Sequence, residues 1–159
     1  MAATIFYILA AVIVIATLFA ISERHAVHSI VYLVTSFFAL AVVFYLLGAP
    51  VVAVFEVIIY AGAVMVLFLF VIMMLDLGHP DRVKSPGIRD WWPALLLGLI
   101  LLAAIVVLMT VQTPLQPAGV QPDIREFSRT LFQKYGVAIE IISMQLLFAL
   151  VGALYLGRR

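Results

Sequence analysis

Two carboxylates stand alone inside long apolar runs of this 159-residue chain: Glu56 within VVAVFEVIIYAGAVMVLFLF, and Glu140 within GVAIEIISMQLLFAL. A carboxyl surrounded by hydrocarbon side chains is a group that binds and releases protons, and such acids mark proton and ion paths in membranes. Tyr60 follows Glu56 at i+4 and shares its face under α-helical winding, within reach of the carboxyl. Ser143 stands at i+3 from Glu140. An ionised acid in hydrocarbon costs on the order of 2.5 kcal/mol or more, so each must face a protein interior, pair, or hold a proton. The competing reading is structural: an acid near the end of a helix snorkels, or accepts bonds from helix-end amides. Both readings stay open for each acid, and Tyr60 fits either a proton path or a helix contact.

The residues that follow extend the pattern. Ala61-Gly62-Ala63 is a run of small side chains, which in a spanning helix lets a neighbouring backbone approach. The sharper reading is that Gly62, beside the acid and the tyrosine, lets the helix accommodate an extra residue as a π-bulge or hinge. His25 and His28 form H-x-x-H near Glu23, a pattern more common as interfacial polar residues at a helix end than as a metal site. Met65, Met73 and Met74 read as packing residues, and Gln145 as an interhelical hydrogen-bonding group. The chain has no cysteine, which excludes disulfides, thiolate metal sites, iron–sulfur ligation and a cysteine nucleophile. The expectation is a chain with no catalytic residue, no metal and no cofactor of its own.

The elements that must position these groups follow from composition. Hydrophobic residues make up 67% of the chain and charged residues 11%, against about half and a quarter in soluble domains. The net charge of +1 leaves no basic field for nucleic acid. A spanning helix needs about 20 apolar residues to cross a hydrocarbon layer of about 30 Å. Five stretches qualify, at about 3–21, 27–47, 51–75, 92–111 and 137–156. A β-barrel needs short alternating segments, which a run such as LLLGLILL does not provide. The fold class is therefore an all-α integral membrane protein with five transmembrane helices, forming one membrane domain over 1–159. Glu56 then lies roughly 8 Å into the third span, and Glu140 a similar few residues into the fifth.

Residues 22–26 and 48–50 are tight turns, 76–90 a polar loop rich in Gly and Pro, and 112–136 the longest connection. Pro114, Pro117 and Pro122 predict an extended start to that last segment. Ile124, Phe127, Leu131 and Tyr135 then predict a short amphipathic helix lying at the interface. No Lys or Arg precedes Arg24, so the first block reads as a retained helix rather than a signal peptide. Six cations (Arg24, Arg82, Lys84, Arg89, Arg158, Arg159) fall on one side of a five-span topology and three (Arg125, Arg129, Lys134) on the other. That asymmetry predicts the N-terminus outside and the C-terminus in the cytoplasm. Trp91 and Trp92 suit an aromatic belt at the inner interface.

The third span, Phe55-Glu56-Val57-Ile58-Ile59-Tyr60-Ala61-Gly62-Ala63-Val64-Met65-Val66-Leu67-Phe68, closely resembles the third helix of the chain J family (the mitochondrial chain 6 equivalent) of proton-translocating NADH:quinone oxidoreductase, respiratory complex I. Its pattern is E-[VI]-[IV]-x-Y-[AT]-G-A-[VI]-M-V-L-F. Ala26-Val27-His28-Ser29-Ile30-Val31-Tyr32-Leu33 is similar to the start of that family's second helix, and Ala138-Ile139-Glu140-Ile141-Ile142-Ser143-Met144 to its fifth. The resemblance implies a multi-pass subunit of the bacterial inner membrane that helps couple quinone reduction to proton translocation. It implies a place beside chain K and near chains H and A, next to the quinone cavity. It also implies a third-helix π-bulge at Tyr60 and Gly62 that opens and closes a water path, with Glu56, Tyr60 and Gly62 as the mechanistic residues. The essential glutamates of that path belong in the family to chain K, so this chain shapes the path more than it supplies protons. NADH, FMN, iron–sulfur clusters and quinone are bound by other subunits. The alternatives are a subunit of a related cation/proton antiporter or membrane-bound hydrogenase, or a purely structural membrane scaffold. The pump helices of the antiporter class carry intramembrane Lys, which is absent here.

Overall fold

A computed structural model describes residues 2–23, 25–75, 91–110 and 124–158. The polar loop expected at 76–90 and the extended stretch expected from Pro114 to Pro122 lie outside the described residues. The described chain is helical, with no strand. The elements are α1 (Ala2–Ser22), α2 (Ala26–Leu46), α3 (Pro50–Leu75), α4 (Trp92–Thr110), α5 (Ile124–Lys134) and α6 (Gly136–Gly157). Five of them, all but α5, are long and apolar enough to cross a membrane. The chain divides into two compact units, residues 1–119 and 120–159.

The first unit is built on the hairpin of α1 and α2. Leu9, Val12, Ala16 and Ala20 recur at helical spacing along α1 and are buried, as are Tyr32, Ser36, Ala39 and Val43 along α2. Leu97, Leu101 and Ala104 of α4 complete the same core. Alanines recur at these positions because lipid offers no hydrophobic drive between helices. Close van der Waals packing must do the work, and small side chains allow it. Two hydroxyl contacts cross the hairpin. Thr17 Oγ1 lies 3.1 Å from Ser36 Oγ and also donates to the Ile13 carbonyl at 2.8 Å, while Ser29 donates to the Ala20 carbonyl. In hydrocarbon a hydroxyl must find such a partner. Each interhelical bond of this kind contributes about 0.6 kcal/mol.

The α2–α3 turn fixes where the third span begins. Gly48 has φ 80°, a backbone conformation that costs glycine little. Its amide donates to the Tyr45 carbonyl at 3.1 Å, and the Ala49 amide donates to Phe44 at 3.0 Å. That crossed pair is the Schellman closure of a helix C-terminus. Pro50 then starts α3, where its missing N–H costs nothing.

The second unit consists of α5 and α6, joined by Tyr135 alone. The chain bends there, with φ −114° and ψ 16°. Backbone bonds nevertheless bracket the bend: Tyr135 N–H donates to Leu131 and Ile139 N–H to Tyr135, each at 3.1 Å.

Candidate functional site

The third span is not one regular helix. Pro50–Phe55 is α-helical, Glu56–Val64 is π-helical, and Met65–Leu75 is α-helical again. The Met65 amide, at the downstream edge, donates to the Tyr60 carbonyl five residues back, and also to Gly62. At the upstream edge the Glu56 amide still donates to Ala53 and Val52, three and four residues back. π-Helical turns are rare and concentrate at functional sites. Here the segment opens on one of the two acids and contains Tyr60 and Gly62.

Glu56 is buried, at 9% exposure. Among the described residues no hydrogen bond or ion pair joins its carboxyl to another side chain, and its oxygens are not fully enclosed without a partner. Tyr60, four residues on, is 48% exposed, and its ring packs against Phe37 of α2 with centroids 5.5 Å apart at 45°. No hydrogen bond joins the two side chains. Ala61 is buried instead, with Ala53 and Met65 on the same stripe. The buried stripe thus steps from Glu56 to Ala61, five residues, where an α-helix steps three or four.

Gly62 lies inside this π-helical segment. A methyl group added there would lie 3.2 Å from the Val57 carbonyl oxygen, the acceptor position of an i−5 bond. That is closer than ordinary van der Waals contact, so the carbonyl would have to give way.

Glu140 belongs to the second unit and is exposed on α6. Ser143 donates its hydroxyl to the Ile139 carbonyl at 3.1 Å, back-bonding to its own helix rather than to the acid. Gln145 is also exposed. At the α2 entry His28 is buried and stands edge-on to Trp91, 4.9 Å between centroids at 76°, with His25 5.7 Å away. No cluster of three His, Cys, Asp or Glu exists among the described residues. Two features carried no signal in the sequence. The Phe37 contact joins residues of different helices, and the choice of Ala61 over Tyr60 as the buried residue needs the helix type to be known.

The architecture is that of a polytopic helical membrane protein whose third span carries a buried acid at the head of a π-helical segment. The chain belongs to the family described as NADH-ubiquinone/plastoquinone oxidoreductase chain 6, whose profile matches residues 16–156. It is similar to the NADH-quinone oxidoreductase subunit J of Pseudomonas aeruginosa, 41% identical over 97% of this chain and 95% of that one. The subunit J of Escherichia coli strain K12 is 38% identical over 96% of this chain and 85% of its own length. That of Rhodobacter capsulatus is 31% identical over 97% of this chain and 80% of its own.

Proposed function

We propose that this chain is a membrane-arm subunit of a proton-translocating NADH:quinone oxidoreductase, forming one membrane domain in a bacterial inner membrane. It helps couple quinone reduction to proton movement and has no active site of its own. NADH, FMN, iron–sulfur clusters and quinone belong to other subunits, and chains K, H and A are its neighbours. Its N-terminus faces outward and its C-terminus the cytoplasm, the arrangement the Lys and Arg asymmetry favours.

The observation that carries this reading is the π-helical segment Glu56–Val64 headed by the buried residue Glu56. One residue inserted into a helix rotates everything beyond it by about 100°. Rewinding the segment as α-helix moves Tyr60 to the azimuth that Ala61 holds, exchanging a methyl for a phenol beside Glu56. With the methyl in place the phenol is held off the acid. With the phenol in place a bulkier group fills that azimuth and its hydroxyl reaches the carboxyl. The two windings are thus an open and a closed state of one short stretch of path, with Gly62 as its hinge. Glu140, on α6, is a further candidate for contact with protons or water.

Recovering the tagged chain from native membranes in mild detergent tests the assignment. Flavoprotein and iron–sulfur subunits, together with NADH:quinone reductase activity, are expected in the same particle. Recovery with antiporter or hydrogenase subunits, or alone, refutes it.

A further inference from the structure

α5 is the one described helix too polar to span, yet a single residue separates it from a span. Two peptide steps, about 8 Å, take the chain from Lys134 to the first residue of α6. The helix therefore starts from the membrane boundary whatever the rest of the unit does. The bend at Tyr135 turns α5 away from a simple continuation of α6.

The side chains of α5 are sorted accordingly. At 100° per residue, Ile124, Phe127 and Leu131 fall on one side with Tyr135, and Phe132 lies at its edge. No residue of α5 is buried, and Ile124 and Phe132 are 67% and 68% exposed. Arg125 and Arg129 run along one border of the apolar side, and Lys134 flanks the other, its Nζ 5.9 Å from the Tyr135 ring centre. Glu126, Thr130 and Gln133 occupy the opposite side. Three cations against one acid, bordering an apolar stripe, suit long side chains that bury their stems and raise their charges to phosphate.

We propose that α5 is a seat for anionic phospholipid. Ile124, Phe127, Leu131 and Phe132 enter the acyl boundary, Arg129 and Lys134 bind headgroup phosphate from either border, and Tyr135 anchors the bend at headgroup depth. The surface that meets this helix first is that of the bilayer its own neighbour crosses. The sign of its charge matches anionic lipid, which is why lipid is favoured over a protein groove as the occupant. The inference rests on α6 being a span and is independent of the oxidoreductase assignment.

The absence of cysteine allows single-site labelling of the full chain. Fluorophores at Ser128→Cys, on the apolar side, and at Gln133→Cys, on the polar side, are compared in phosphatidylcholine vesicles with and without phosphatidylglycerol, using nitroxide-bearing lipid as the quencher. Strong quenching at position 128, weak quenching at 133, and a preference for spin-labelled phosphatidylglycerol over phosphatidylcholine are expected. Arg129→Gln and Lys134→Gln should each lower that preference by about five-fold, as should raised salt for the pair together. A preference unmoved by both variants and by salt overturns the proposal, as does position 128 unquenched in every vesicle. In the assembled complex, quenching at 128 supports the lipid seat. Its loss there shows that a partner chain covers the stripe, and overturns the proposal.

Discussion

Glu56 and Ala61 are successive buried positions on α3, and five residues separate them. On either side the spacing is helical, three from Ala53 to Glu56 and four from Ala61 to Met65. The π winding of Glu56–Val64 accounts for the long step. It holds Tyr60 at the surface, against Phe37, and turns a small side chain inward one place later. A single span therefore presents two differently phased faces, and the phase changes at the acid.

That phase is set by a balance that one methyl group shifts. At position 62 an alanine Cβ would crowd the Val57 carbonyl at 3.2 Å in the π form. The helix propensity of Ala over Gly acts on both windings alike, so it is this crowding that favours rewinding, and Gly62→Ala should move the equilibrium toward α. Nitroxides at Tyr45 on α2 and Phe70 beyond the segment, both exposed, measure it. A second distance population is expected to grow in the variant. An unchanged distribution would mean that the winding does not depend on this glycine.

Glu56→Gln keeps the volume of the side chain and removes its ionisation. With the residue buried at the head of the segment, the variant is expected to assemble normally. Proton pumping in inverted vesicles should fall several-fold per NADH oxidised, while electron transfer to a soluble acceptor at the flavin end is retained. Pumping at the parental ratio would remove Glu56 from the path.

The spans were legible because a bilayer of fixed thickness demands uninterrupted apolar runs, and runs such as residues 92–110 have no other explanation. The α5 stripe was legible for the opposite reason: Ile124, Phe127 and Leu131 contrast with the charges between them. In the residues themselves the π segment had no comparable signal beyond Gly62, and it was the family resemblance that implied a bulge there. Val57, Ile58, Ile59, Ala61, Ala63 and Val64 are all apolar, so no polar face marks where the rotation slips. At α-helical spacing Tyr60 faces the carboxyl. The extra residue per turn, held by bonds such as Met65 to Tyr60, takes it to Phe37 instead. Helix type is decided by backbone bonds and by packing against α2, neither of which a list of apolar residues records. Glu140 illustrates the same limit, since Ser143, its expected neighbour, bonds its own helix.

The hairpin that supports α3 depends on close contact. Ala39 of α2 is fully buried in the shared core with Leu9 and Ala16 of α1. Ala39→Leu adds three carbons where there is no space for them, which should destabilise the hairpin by about 1–3 kcal/mol. Thermal unfolding in detergent should show a lower midpoint, whereas Leu99→Ala, on the exposed face of α4, should leave it nearly unchanged. Equal midpoints for the two variants would contradict the core described for this unit.

Tyr60 joins two roles that substitution separates. Its ring packs on Phe37, a pair worth about 0.5–1.5 kcal/mol beyond the area it covers. Its hydroxyl is the group that reaches Glu56 only if the segment rewinds. Tyr60→Phe retains the first and removes the second, so assembly and stability should match the parent while coupled turnover slows. Tyr60→Ala removes both and should also weaken the α2–α3 contact, in a manner non-additive with Phe37→Ala. A Tyr60→Phe enzyme that pumps at the parental rate would reduce Tyr60 to packing. Non-additivity with Phe37 would still be seen in that case, so the two measurements distinguish a tyrosine kept for its ring from one kept for its hydroxyl.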